Sequence, residues 1–179
     1  MMQSMKKIVD KVLRIVTSTL FLFMVAITFW QVISRYVLNN PSTITEEFLR
    51  FSLIWLSMLS AAYVVGKKSH IAFTLLSDNL NNSKKIVIDI VIQAAFFVFA
   101  AIIMLYGGGK AVSLTMAQIS PSLNVPMGLV YLSLPISGML IIFYSFLNLL
   151  ELLEQRKIDL NEVAESKETK TKVKVGDIV

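Results

Sequence analysis

Residues 30–70 read WQVISRYVLNNPSTITEEFLRFSLIWLSMLSAAYVVGKKSH. One apolar run ends in Trp30-Gln31 and Ser34-Arg35-Tyr36, and a turn of Asn39-Asn40-Pro41-Ser42 follows. A second apolar run opens on Thr45-Glu46-Glu47 and closes at Gly66-Lys67-Lys68-Ser69-His70. Charges confined to the ends of two apolar runs, with Asn and Pro between them, describe a helical hairpin that crosses a bilayer twice. The hydrocarbon core is about 30 Å thick and takes roughly 20 apolar residues per helix.

Reading outward, the same length test selects four spans, at Leu13 to Tyr36, Phe48 to Gly66, Ile86 to Gly108 and Met127 to Leu150. The 179-residue chain is 55% hydrophobic and 16% charged, so the spans leave no room for a water-soluble domain of any size. The sequence therefore predicts an all-α membrane protein with four transmembrane helices over residues 1–158 and a polar, mobile tail over 159–179. The first apolar run is too long for a signal-peptide core and lacks a small-residue exit, so it is expected to be retained.

Fourteen of the seventeen Lys and Arg residues fall on one side of this topology, in the amino-terminal stretch, the loop from Lys67 to Lys85, and the tail. Only Arg35, Arg50 and Lys110 fall on the other. The positive-inside rule then places both termini in the cytoplasm and the Trp30 to Arg50 turn outside. The net charge of +5 belongs to these membrane flanks, which argues against a nucleic-acid partner. Between Lys67 and Lys85, Ile71, Phe73, Leu75, Leu76 and Leu80 alternate with polar residues, as in a short helix lying on the cytoplasmic surface. The chain has no cysteine, which excludes disulfides and thiolate ligands, and one histidine, which cannot by itself hold a bis-histidine haem.

The candidate functional residues cluster at the hairpin. Arg35 shares a helix face with Gln31 and either snorkels to lipid phosphates or makes a specific contact. Ser42, Thr43 or Thr45 can cap the second helix, and Glu46 and Glu47 then sit at the positive end of its dipole. Glu46 and Arg50 are spaced for an ion pair, and Trp55 stands two turns below Glu47 as an aromatic anchor. His70, beside two lysines, reads as a hydrogen-bonding residue of the surface arm. The small residues Ser57, Ser60, Ala61 and Ala62 form a patch suited to close helix packing. Further along, Gly107-Gly108-Gly109 is expected to end the third helix, Pro126 to start the fourth, and Pro135 to kink it. No ionisable residue falls in the middle of any span, and no pair of glycine-broken half-helices is present, so the sequence offers no substrate path of its own.

The run Phe29 to Val37, the series Thr45-Glu46-Glu47-Phe48-Leu49-Arg50-Phe51 with Trp55, and Gly66-Lys67-Lys68-Ser69-His70-Ile71 resemble the small membrane subunit, the DctQ-type or Q subunit, of tripartite ATP-independent periplasmic (TRAP) transporters. Ser120-Pro121-Ser122-Leu123-Asn124-Val125-Pro126, Tyr131 and Pro135 look like that family's approach to its fourth helix. The likeness covers roughly Val12 to Glu154, and Ile44 stands where the family often has tryptophan. It implies a multi-pass subunit of the bacterial inner membrane, without cofactor or enzymatic activity. It also implies two protein partners, a large elevator-type membrane subunit that carries organic acid with sodium and a periplasmic substrate-binding protein, beside membrane phospholipids. Arg35, Glu46, Glu47 and Arg50 would then hold the hairpin or touch a partner, Trp55 would pack in the subunit interface, and His70 would fix the surface arm. Two other classes stay open, a membrane anchor for a redox enzyme and an autonomous small transporter.

Overall fold

The computed structural model describes residues 2–67 and 82–176, with side chains over 4–67 and 85–157. His70 and most of the predicted surface arm lie outside the described residues. In chain order the elements are α1 (Met2–Tyr36), α2 (Thr43–Gly66), α3 (Asn82–Phe99), a π-helical segment (Ala100–Gly107), α4 (Gly108–Thr115), α5 (Gly128–Tyr131) and α6 (Ser133–Gly176). Four helical stretches are long and apolar enough to cross a membrane: Ser4–Tyr36, Thr43–Gly66, Lys85–Thr115 and Gly128–Lys157. The chain is a multi-pass helical membrane protein.

Local chemistry sets the boundaries of the hairpin. At the end of α1, Asn39 takes the left-handed conformation (φ 50°) that Asn tolerates better than most residues. This lets Asn40 donate its N–H to the Ser34 carbonyl at 3.1 Å, while the Ser34 hydroxyl donates to the Asn40 carbonyl at 2.5 Å. Of the three candidate caps Ser42, Thr43 and Thr45, it is Ser42 that caps α2, accepting the Thr45 N–H at 3.5 Å. Along the spans Thr17 and Thr28 bond back to the carbonyls of Leu13 and Met24, which hides their hydroxyls from lipid.

The third span departs from expectation. Gly107-Gly108-Gly109 does not end it: the helix widens into the π segment and continues as α4 to Thr115. Packing explains the glycines. A Cβ on Gly108 would lie 2.9 Å from the Leu134 Cβ and 3.2 Å from the Pro135 ring. On the facing helix, a Cβ on Gly138 would lie 2.9 Å from the Met104 Cβ. The glycines are there so that two backbones can approach, as small residues do in membranes. Because the helix is interrupted just before Pro135 and starts afresh at Ser133, this proline does not kink the interior of a helix as expected. Its missing donor falls in the first turn of α6, while Ile136 reaches back to the Leu132 carbonyl at 3.2 Å across the α5–α6 junction.

α6 is the central helix, seated against α2, α3 and the π segment, whereas α1 packs mainly on α2. Burial agrees: 39% of the most apolar window of the fourth span is buried within the chain, against 6% for the first. Ala62, Val65, Ala100, Met104 and Ile141 form one core cluster. Leu13, Leu59 and Tyr144 form a second, with Trp55 and Tyr63 against it. Of the predicted small-residue patch, Ala62 is fully buried, whereas Ser57 and Ala61 remain on the exposed side. α6 is helical through Gly176, past the start expected for the polar tail.

Candidate functional site

Polar contacts between helices gather at the two ends of the bundle. At the end bearing the α1–α2 turn, Glu46 pairs with Arg50 at 3.5 Å, as its spacing predicts. Both side chains are more than half exposed, so the pair contributes a few tenths of a kcal/mol. Glu47 does something the sequence did not announce. One of its carboxylate oxygens accepts the backbone N–H groups of Ser122 and Leu123, at 2.9 and 3.0 Å, from a loop 75 residues away.

That loop is shaped to present its donors. Ser120 donates its N–H to the Val125 carbonyl at 2.9 Å, and Met127 donates to the Gln118 carbonyl at 2.8 Å. Asn124, left-handed at φ 54°, closes the tip by donating to the Ser120 carbonyl. The Ser122 N–H is then aimed at Glu47, and the Leu123 N–H is shared between Glu47 and the Ser120 hydroxyl oxygen, 3.3 Å away. Bonds from backbone N–H groups to a carboxylate are charge-assisted and shorter than those between neutral groups.

Arg35 lies on the exposed side of α1 and forms no ion pair with Glu46 or Glu47 among the described residues. Trp55 is half-buried against Leu13, Leu59 and Tyr144, inside the chain's own core. The six sequence candidates thus do not form one constellation. Glu46 and Arg50 meet each other, Glu47 holds a loop, Trp55 packs inward, Arg35 faces out, and His70 is outside the described residues.

The richer network sits at the opposite end, and of its members the sequence had marked only Gly66 and Lys67. Asp10, mostly buried, accepts from Lys67 at 2.7 Å and from the Tyr144 hydroxyl at 2.6 Å, tying α1 to the end of α2 and to α6. One turn away, Lys6 donates to the Asn148 side-chain oxygen at 2.6 Å and lies 3.8 Å from Glu151. The Asn148 amide donates in turn to the Val65 carbonyl at 3.2 Å. A carbonyl in the last turn of a helix has no successor to bond, so Asn148 closes the end of α2 as well.

Gly66 and Lys67, prominent in the sequence, acquire physical roles here. A Cβ on Gly66 would fall 2.7 Å from the Tyr144 ring, so only glycine admits the ring that carries the hydroxyl to Asp10. Lys67 also lies over the Tyr63 ring, 5.7 Å from its centre. The hydrogen bond to Asp10 pushes the Lys67 ammonium above the usual lysine range. The signal that could have found this network was Asp10 itself, a lone acid in a basic stretch, together with Tyr144 and Asn148 four apart on an apolar helix.

Between the two ends the buried polar side chains are uncharged: Ser52, Gln93, Ser133, Ser137 and Ser145. Among the described residues no three His, Cys, Asp or Glu side chains come together as a metal site. Such a bundle, uncharged between its ends and clasped by polar contacts at both, defines an integral membrane component whose ionic chemistry holds its own helices in register.

The chain belongs to the DctQ component family of tripartite ATP-independent periplasmic transporters, whose family model matches residues 24–155. It is a transporter component and not an enzyme. It is 26% identical over 141 residues to a TRAP transporter small permease protein of Haemophilus influenzae, covering 79% of this chain and 87% of that protein. It is 24% identical over 142 residues to the sialic acid TRAP transporter small permease protein SiaQ of Vibrio cholerae, covering 79% and 82%. A 94-residue stretch is 31% identical to the isethionate TRAP transporter permease protein DctMQ of Oleidesulfovibrio alaskensis, covering 52% of this chain and 15% of that one.

Proposed function

We propose that this chain is a static brace in a TRAP transporter of the bacterial inner membrane. It scaffolds the large elevator-type subunit and helps the periplasmic substrate-binding protein dock, while sodium coupling and substrate selection reside in those partners. The observation that carries this reading is the distribution of charge. Ionisable side chains gather at the two ends of the bundle, where Asp10, Glu47, Lys6 and Lys67 cross-link helices and a loop. A protein that moved its own ion would need such groups at mid-depth, where each charge costs about 2.5 to 3.5 kcal/mol on insertion scales. The DctMQ relative supports a large membrane partner, since the region like this chain occupies a small share of a longer permease protein.

In this reading both termini are cytoplasmic, and the Glu47-clasped loop faces the periplasm beside exposed Arg35 and Arg50. The substrate class is an organic acid, of the sialic acid or dicarboxylate type, with the isethionate relative adding sulfonates. The deciding experiment is purification of an affinity-tagged chain from its native membrane. A much larger membrane protein is expected to co-purify in fixed ratio, and uptake should require both. Sodium-driven uptake by the purified chain alone in liposomes would overturn the proposal.

A further inference from the structure

The α1–α2 interface carries a groove that the clasps do not fill. At the end of the bundle that holds Asp10, a cavity of about 250 Å³ is lined by Lys7, Asp10, Lys11, Arg14, Tyr63 and Lys67. Lys7, Lys11 and Arg14 recur at intervals of four and three, so they share one face of α1. All three are exposed, and none forms an ion pair among the described residues. Asp10 is committed to Lys67 and Tyr144, which leaves three cations of the groove without an ion-pair partner among the described residues.

The groove does not stop at the charged rim. A second cavity of about 260 Å³ is lined by Thr17, Ser18, Phe21, Leu56 and Ser60. On α1 these positions continue the face of Lys11 and Arg14 by steps of three and four, and on α2 Ser60 and Leu56 continue the face of Lys67 and Tyr63. The two depressions therefore follow one another along the same pair of helices. Thr17 turns its hydroxyl back to the Leu13 carbonyl, which leaves its methyl for the groove. One end is strongly cationic, and the other is uncharged, with Phe21 and Leu56 beside the small residues Thr17, Ser18 and Ser60, and runs into the span.

We propose that this groove is a binding site for an anionic phospholipid, with the phosphate headgroup held by Lys7, Lys11 and Arg14 and one acyl chain lying along Thr17, Phe21, Leu56 and Ser60. The charge at the rim selects an anion, and its apolar continuation selects an anion that carries a hydrocarbon chain. Basic residues beside a span act on anionic headgroups in this way, each adding about fivefold to the binding. The lipid would lock the outer face of α1, the least buried of the four spans, onto α2.

The test uses the full chain in a neutral detergent, read by native mass spectrometry after adding phosphatidylglycerol or phosphatidylcholine of identical acyl chains. Phosphatidylglycerol is expected to stay bound at voltages that strip phosphatidylcholine. The triple substitution Lys7→Gln, Lys11→Gln, Arg14→Gln should weaken its retention about a hundredfold. Lys110→Gln, at the other end of the bundle, should leave it unchanged. Because the three side chains are exposed and form no ion pair among the described residues, the variant is expected to fold. Ser60→Phe, which fills the apolar limb, should also release the lipid without touching a charge. Equal retention of the two lipids, full retention by the triple variant, or displacement by millimolar inorganic phosphate would overturn the proposal, the last by marking a free-anion site. Loss of the lipid whenever a protein partner binds would overturn it too, since the groove would then be a subunit interface.

Discussion

Asp10 shows how much one side chain can organise. Its carboxylate receives a cation from α2 and a phenol from α6, and both arrive because Gly66 lets the Tyr144 ring lie flat on the α2 backbone. Gly66→Ala is therefore expected to destabilise the bundle by about 1 to 3 kcal/mol, because the ring must shift or the helices must part. Thermal denaturation in detergent would measure it, and a melting temperature like that of the unaltered protein would contradict the packing argument. Tyr144→Phe keeps the ring and loses only the bond to Asp10, so its cost should be smaller, about 1 kcal/mol. The pH dependence follows from Lys67, whose pKa is raised in the folded state. Its contribution is fully present below the ordinary lysine value of 10.5 and is lost as pH climbs through the higher folded value. Melting temperature should thus stay flat in this respect from pH 7 to 9 and fall only at more alkaline pH, and Lys67→Gln should remove that alkaline fall.

Among the elements, the segments joining helices reveal the difference between the two adjacent acids of the hairpin. Glu46 and Arg50 form an exposed pair within one helix, and removing either is expected to change stability by no more than about 0.5 kcal/mol. Glu47 ties that helix to the 116–127 loop. In Glu47→Ala two N–H groups lose a charged acceptor, so hydrogen exchange at Ser122 and Leu123 should quicken at least tenfold while exchange in the α2 interior stays as it was. Unchanged exchange at 122 and 123 would show that the loop holds itself through Ser120, Asn124 and Met127. In sequence Glu46 and Glu47 are indistinguishable, since both suit the positive end of α2. Which of them faces the loop depends on the rotation of α2 against α5 and α6. The glycine triplet has the same lesson: locally it spells a turn, but Leu134 and Pro135 lie where side chains at 108 would go, and the helix continues.

For the whole molecule, the absence of native cysteine makes topology directly testable. Asn40→Cys in the α1–α2 turn is expected to react with a membrane-impermeant maleimide in intact cells. Ser4→Cys, near the start of α1, should react only after the membrane is opened. The reverse pattern would invert the proposed orientation and put the Glu47 loop in the cytoplasm. Within the bundle, the order of burial makes α6 the post and α1 the peripheral helix, so the outer surface of α1 is the face most available to lipid or a partner.

Sequence alone determined the class, the four spans and the Glu46–Arg50 pair, and narrowed the α2 cap to three neighbours, because the apolar length and helical spacing that set them are local properties of the chain. Only the tertiary structure decided that Asp10 meets Tyr144 across 134 positions, Lys6 meets Asn148 across 142, and Glu47 meets the loop at Ser122. Those contacts depend on the rotation and depth of each helix relative to its neighbours. Both are fixed by where glycine permits two surfaces to close, and no periodicity within a single span records them.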